Sequence, residues 1–170
     1  MPSFQISPLA AADLPAVETQ LDLVFGPDRR NKSSYRLRAG HPSCPALAFA
    51  AWREGRLVGS VQQTPVAVGD RCARALLLGP LAVLPPLRGQ GIGRALLRRS
   101  LEAARAVGWP RVFLVGARTY YEPLGFHPAA AIGVWVAGEP ADRVHHMTLV
   151  PEIPAPHGEL RPWRSHSGDV

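Results

Sequence analysis

Between Leu81 and Arg98 the chain reads L-A-V-L-P-P-L-R-G-Q-G-I-G-R-A-L-L-R, and this segment constrains the fold more than any other. An apolar strand stops at Pro85-Pro86, and a short turn carries Gly89, Gly91 and Gly93 on alternate positions. An amphipathic pattern starts at once after it. Glycines at a helix start leave backbone N–H groups bare and let a ligand approach them closely. Arg88 and Arg94 add positive charge on either side. The segment therefore predicts a strand, an anion-holding turn and a helix, in that order.

The helix is predicted from Gly91 to Val107. Ile92, Leu96, Leu97, Ser100, Leu101, Ala104 and Val107 share one face, and Arg94, Arg98, Glu102 and Arg105 the other. Gly108 closes it in the position that glycine favours. The apolar run Arg111–Val115 reads as a buried strand, so strand, helix and strand form a βαβ unit with a parallel or neighbouring pair.

Upstream, Phe4–Ser7 suits a first strand. A helix over Ala11–Phe25 follows, with Asp13 as N-cap and Leu14, Val17, Leu21 and Val24 as its apolar face. The polar stretch 28–42 reads as a short helix plus a loop. Strands Ala46–Trp52 and Arg56–Val68 form a hairpin about Arg53-Glu54-Gly55, with a bend or bulge expected at Pro65. Ala75–Leu84 is the central strand. Downstream, Ala129–Ala137 and His145–Val150 read as further antiparallel strands, and the proline-rich stretch from Pro151 as an extended or loosely ordered tail.

At 170 residues the chain suits one domain. The net charge is +6, and Lys32 is the only lysine among 19 Lys+Arg. So basic a surface favours acidic partners, but its arginines are scattered rather than clustered with aromatics, which argues against nucleic acid. Cys44 and Cys72 stand far apart, in no spacing for a metal or a disulfide framework. The N-terminus lacks a signal-peptide pattern, and no apolar run approaches the ~18 residues a membrane span needs. A cytoplasmic location without membrane contact is the resulting expectation.

Three phosphate-binding patterns compete for the glycine turn. A P-loop needs Gly-Lys, which occurs nowhere in the chain. A dinucleotide fold would need glycine at Arg94 or Leu96, and no acid stands between Ala103 and Tyr121 to hold a ribose. The third pattern fits. Arg88-Gly89-Gln90-Gly91-Ile92-Gly93 has the form R-x-x-G-x-G and resembles the acyl-CoA pyrophosphate loop of the GCN5-related N-acetyltransferases. The preceding L-G-P-L-A-V-L-P resembles that family's fourth strand, and Tyr120-Tyr121-Glu122-Pro123-Leu124-Gly125-Phe126 its F-Y-x-x-x-G-F segment. The nearest likeness is to a bacterial subgroup of acetyltransferases whose substrates the resemblance does not supply.

The resemblance implies an α/β (α+β) fold: a mixed, mostly antiparallel central sheet with a parallel splayed pair and flanking helices. It assigns 1–150 to the acetyltransferase domain and leaves 151–170 as a proline-rich extension of it. The implied cofactor is acetyl-CoA, held by Leu81, Ala82, Val83, Arg88, Gly89, Gln90, Gly91, Ile92, Gly93, Arg94 and Tyr121. No metal is implied. Tyr121 takes the position of the family's general acid, and the implied reaction is direct attack of a primary amine in a ternary complex. A homodimer would be in keeping with the family. The strand carries no acid, since Asp and Glu are absent from Arg71 to Leu101. The base must then come from elsewhere, with His41, Glu54, Glu139, His145 and His146 as candidates, or the amine must lose its proton through ordered water to backbone carbonyls; Tyr35 and Arg36 are candidates for lining the acceptor site. The alternative is a non-catalytic acyl-CoA-binding module.

Overall fold

The computed structural model describes residues 3–164, so the readings that fall on Met1, Pro2 and 165–170 lie outside it. Along the chain run β1 (Gln5–Pro8), α1 (Leu14–Phe25), α2 (Ser33–Arg38), β2 (Phe49–Arg53), β3 (Arg56–Val68), β4 (Ala73–Val83), α3 (Ile92–Ala106) and β5 (Arg111–Val115). They are followed by α4 (Arg118–Tyr121), β6 (His127–Pro128), β7 (Val134–Trp135), β8 (Val144–Thr148) and β9 (Gly158–Pro162). The main sheet runs β1-β2-β3-β4-β5-β8-β6, and every pairing along it is antiparallel except the parallel β4–β5. This is the mixed α/β architecture that the motifs imply.

Strand alternation sorts the core into two faces. Leu76 and Leu78 of β4 join Ile92, Leu96, Leu97 and Leu101 of α3. Ala75 and Leu77 point the other way, toward Leu37 of α2. Ala82 packs with Val17 and Leu21 of α1. So α1 and α2 cover one face of the sheet and α3 the other. A Cβ on Gly59 would stand 2.9 Å from Leu96 Cδ1 and 3.1 Å from Ile92 Cγ2, so a glycine there lets α3 lie directly on β3.

The sheet opens at one place. Pairing of β4 with β5 ends at Leu77↔Phe113. On its other side, β4 pairs with β3 through Gln63↔Leu78 and resumes at Val61↔Leu81, so Gly79 and Pro80 oppose the single residue Gln62. This bulge frees β4 from both neighbours over two residues.

Several expectations change. The bulge lies at Gly79-Pro80, whereas Pro65 pairs in register with Leu76, between the end of β2 and the start of β9 on the other side of β3. Asp13 stands at the N-cap position of α1 as expected, but its side chain makes no capping bond there and instead accepts from Ala10 N at 3.1 Å, closing a 3₁₀ turn. Leu14 and Val107 sit at helix ends and are exposed. Residues 129–137 are not a strand: Ala129–Ile132 form a 3₁₀ turn ended by Gly133, and β7 has two residues. Nor is the tail loose at 158–162, where β9 pairs antiparallel with β3 and parallel with β7. Helix α3, β3 and β5 form where the patterns put them.

Candidate active site

The splay of β4 and β5 opens into a cleft of about 1090 Å³. Its floor is the start of α3. Gly89 and Gly91 have φ of +78° and +84°, and the side where a Cβ would stand is open at both. The first hydrogen bond of α3 runs from Ala95 N to Gly91 O, 3.0 Å, so the amides of Ile92, Gly93 and Arg94 have no acceptor within the helix. Bare amides, the helix dipole and the nearby Arg88 and Arg94 make an anion site. The glycines leave the room that a bulky diphosphate needs.

The walls come from both sheet faces. On the α3 side stand Leu81 and Val83, Gly116 and Ala117 after β5, and Tyr120 and Tyr121 of α4. Tyr121 packs edge-on against Tyr120 and Phe126, with ring centroids 4.8 and 5.8 Å away. Burial pushes its phenol up to about 12, and Tyr120 adds to the shift. Tyr121 is thus a proton donor throughout the neutral range. A Cβ on Gly93 would stand 2.7 Å from Tyr120 Oη, so a larger residue there would have to displace the Tyr120 hydroxyl.

On the α2 side stand Tyr35, Arg38, Ser34, Arg29, Lys32 and Arg143, together with Glu139. Arg29 is buried and donates from each of its three nitrogens, to Asp22 at 2.8 Å, to Tyr35 Oη at 2.5 Å and to Glu18. Glu139 is the only carboxylate among the described lining residues. It accepts from Ser33 Oγ at 2.5 Å, and Arg143 Nε lies 3.9 Å from its second oxygen.

Of the residues singled out from sequence, Leu81, Val83, Arg88, Gly89, Gly91, Ile92, Gly93, Arg94 and Tyr121 line the cleft, as do Tyr35 and Glu139. Ala82 does not, because alternation turns it toward α1. Gln90 and Arg36 do not either, and Arg36 donates to Ala137 O at 3.1 Å. His41 is exposed beside Pro42 O, and Glu54 sits in the β2–β3 turn with φ +51°. His145 and His146 are buried in β8, where burial lowers both and takes His146 to about 4. Among the described residues no His, Cys, Asp and Glu gather as a metal site, and no helix is long and apolar enough to cross a membrane. Sequence reading missed Arg38, Lys32, Ser34 and Arg143, for which no motif exists.

A parallel pair that splays over a row of bare amides, with a protonated phenol in the same cleft, suits an elongated anionic ligand. The family model described as Acetyltransferase (GNAT) family matches residues 15–126, and the chain belongs to this family of N-acetyltransferases. The chain is 33% identical over 137 residues to the uncharacterized N-acetyltransferase YjhQ of Escherichia coli K12, covering 79% of this chain and 74% of that one. Against YhbS of the same organism it is 30% identical, covering 79% and 82%. The crystal structure of Escherichia coli YhbS in complex with CoA superposes with TM-score 0.83 at 23% identity, over 96% of this chain and 91% of that one. A Brucella melitensis GNAT acetyltransferase in complex with acetyl-CoA gives 0.68 at 23% identity, covering 98% of both chains.

Proposed function

We propose that this chain transfers acetyl from acetyl-CoA to a primary amine by direct attack, both substrates being bound together in the cleft. The observation that carries the reading is the row of bare amides at Ile92, Gly93 and Arg94, opening onto the same cleft as Tyr121 and Glu139. The relatives' CoA and acetyl-CoA complexes support the choice of donor.

Acetyl-CoA, when bound, supplies the acetyl thioester. The bare amides of Ile92, Gly93 and Arg94 would hold its pyrophosphate, with Arg88 and Arg94 adding charge. Backbone groups of Leu81 and Val83, which stay paired with β3 but lie beyond the end of the β4–β5 pairing, would line the arm of the donor on the open β5 side, with one amide available for the thioester oxygen. Glu139 takes the proton from the acceptor's ammonium group, directly or through one water. The freed amine nitrogen would bond to the acetyl carbon as the carbon–sulfur bond breaks, Tyr121 Oη would give its proton to the departing thiolate, and the nitrogen's second proton would pass back to the Tyr121 oxygen, leaving a neutral amide, a thiol and a phenol. A phenol at about 12 stays protonated at neutral pH, so Tyr121 has a proton to give.

The test is calorimetry with acetyl-CoA, followed by release of free thiol across a panel of primary amines. Binding with amine-dependent thiol release is expected. Tight binding without turnover on any amine would favour the acyl-CoA-binding module, and absence of binding would sink both.

A further inference from the structure

Among the described residues of the cleft, Arg38 is the one arginine with a buried side-chain nitrogen, its Nε, that lacks a hydrogen-bond partner. It enters no ion pair among them, unlike Arg29 and Arg143, and lies over the Tyr35 ring at 4.9 Å. Burial, together with repulsion from Arg29, holds the guanidinium low, at about 10, where it is still a cation at neutral pH. A buried donor of this kind is costly unless something accepts from it.

Its position says what that something belongs to. The point where a Gly79 Cβ would stand is 2.7 Å from Arg38 Nη2 and 3.9 Å from the Leu81 amide nitrogen. Gly79 therefore leaves a notch in the β4 bulge that the guanidinium fills, next to the Leu81 amide, one of the two available for the thioester oxygen. The donor's phosphates have their own site at the α3 amides, on the other face of the sheet. Arg38 arrives from α2, on the side where Glu139 stands.

We propose that the acceptor is an amine that carries a carboxylate, which docks on the Arg38 guanidinium while its amino group meets Glu139. The inference rests on the transferase reading and adds the substrate class. The planar fork of an arginine matches a carboxylate with two parallel hydrogen bonds. Lys32 and Arg143 add positive charge to the same wall, so polyamines and lysine-rich tails are repelled. Amino acids and small zwitterionic amines are the class that fits.

The experiment compares kcat/KM for the standard amino acids as free acids, as methyl esters and as the corresponding amines without carboxylate, with spermidine as a polycation. Free acids should be preferred by about 10- to 100-fold, the usual worth of a charge-assisted hydrogen bond. In Arg38→Gln the preference should fall toward one, and Arg38→Lys should retain part of it. Equal use of acids and esters by the wild type, or a preference that survives in Arg38→Gln, overturns the proposal. Acetyl-CoA affinity and circular dichroism report whether Arg38→Gln is folded; if it is not, the ratio in Arg38→Lys decides. If acetyl-CoA binds but no amine releases thiol, the transferase reading has failed separately. Calorimetry of N-acetylated amino acids in the presence of CoA then judges the anion site. Affinity weakened about tenfold in Arg38→Gln or Arg38→Lys supports it, and unchanged affinity or no binding overturns it.

Discussion

Ser33 Oγ donates a 2.5 Å hydrogen bond to Glu139 Oε1, joining the first turn of α2 to the loop after β7 across 106 positions of sequence. The bond fixes the only carboxylate among the described residues of the cleft wall and leaves its other oxygen beside Arg143. Replacing Glu139 by Gln keeps the shape and removes the proposed base, so kcat should fall about 100- to 1000-fold with acetyl-CoA affinity retained. Raising the pH supplies free amine without a base, and the defect should shrink. Ser33→Ala, which loosens the carboxylate without removing it, should lower kcat about threefold to tenfold. Steady-state rates from pH 6 to 10 check both, and a pH-independent defect in Glu139→Gln would remove Glu139 from the mechanism.

Tyr121→Phe deletes one oxygen from a half-buried ring and leaves the edge contacts with Tyr120 and Phe126. If the phenol is the acid, kcat/KM should drop by about 100-fold while acetyl-CoA still binds. Because burial raises this phenol to about 12, the wild type should show no activity loss from its ionisation below about pH 10. Stopped-flow thiol release measures both, and intact turnover in the variant would end the assignment.

Gly91→Glu joins two faults at one position. A side chain at φ +84° carries a left-handed strain of about 1–2 kcal/mol, and the new carboxylate occupies the anion site itself. Calorimetry should show acetyl-CoA binding abolished. Gly108→Ala, at the same φ of +84° but at the far end of α3, is the control and should bind normally.

The donor half of the cleft was legible because its parts are contiguous. The α3 stripe, the glycine turn and the Tyr121 segment each declare themselves within a dozen residues. The α2 side, where the acceptor is proposed to bind, was not, because Ser33, Tyr35, Arg38 and Glu139 meet only after the sheet has closed. Glu139 could be proposed as one acid among several, but nothing near it in sequence said that it faces the cleft. The same holds for β9, whose partners in β3 lie some ninety positions away. Ala129–Ile132 failed for the opposite reason: its apolar run has no alternation, and Gly133 at φ +71° ends it as a turn. Buried strands and 3₁₀ turns share that composition.

His146 should make the fold sensitive to acid. It is buried in β8 against Phe113, His127 and Arg111, and is held neutral down to about 4 against an ordinary 6.5. The unfolded chain binds this proton first, so stability rests on neutral imidazole above about pH 6.5 and is lost as pH falls toward 4. Allowing for solvent screening, the loss is about 1–2 kcal/mol, or a few degrees in Tm. Thermal melts from pH 7 to 4 should show a shallower decline in His146→Gln, and an identical slope would assign the acid loss elsewhere.

Gly59 ties stability to donor binding. An added Cβ would meet Leu96 Cδ1 at 2.9 Å and both Ala82 O and Ile92 Cγ2 at 3.1 Å, so Gly59→Ala must push α3 away from β3. Overpacking of this kind costs about 1–3 kcal/mol, which melting should report as a loss of several degrees. Ile92 is the first residue of α3, so the bare amides move with it and acetyl-CoA affinity should fall too. Leu96→Ala alone opens a cavity and destabilises by about 2–5 kcal/mol. In the double variant the missing Leu96 methyls leave room for the new Cβ, so the two losses should not add. The destabilisation of Gly59→Ala/Leu96→Ala should be smaller than the sum of the single variants by at least about 1 kcal/mol, with part of the acetyl-CoA affinity restored. Simple additivity would mean that α3 accommodates the methyl elsewhere and that the contact at Gly59 does not set the height of the amides above the sheet.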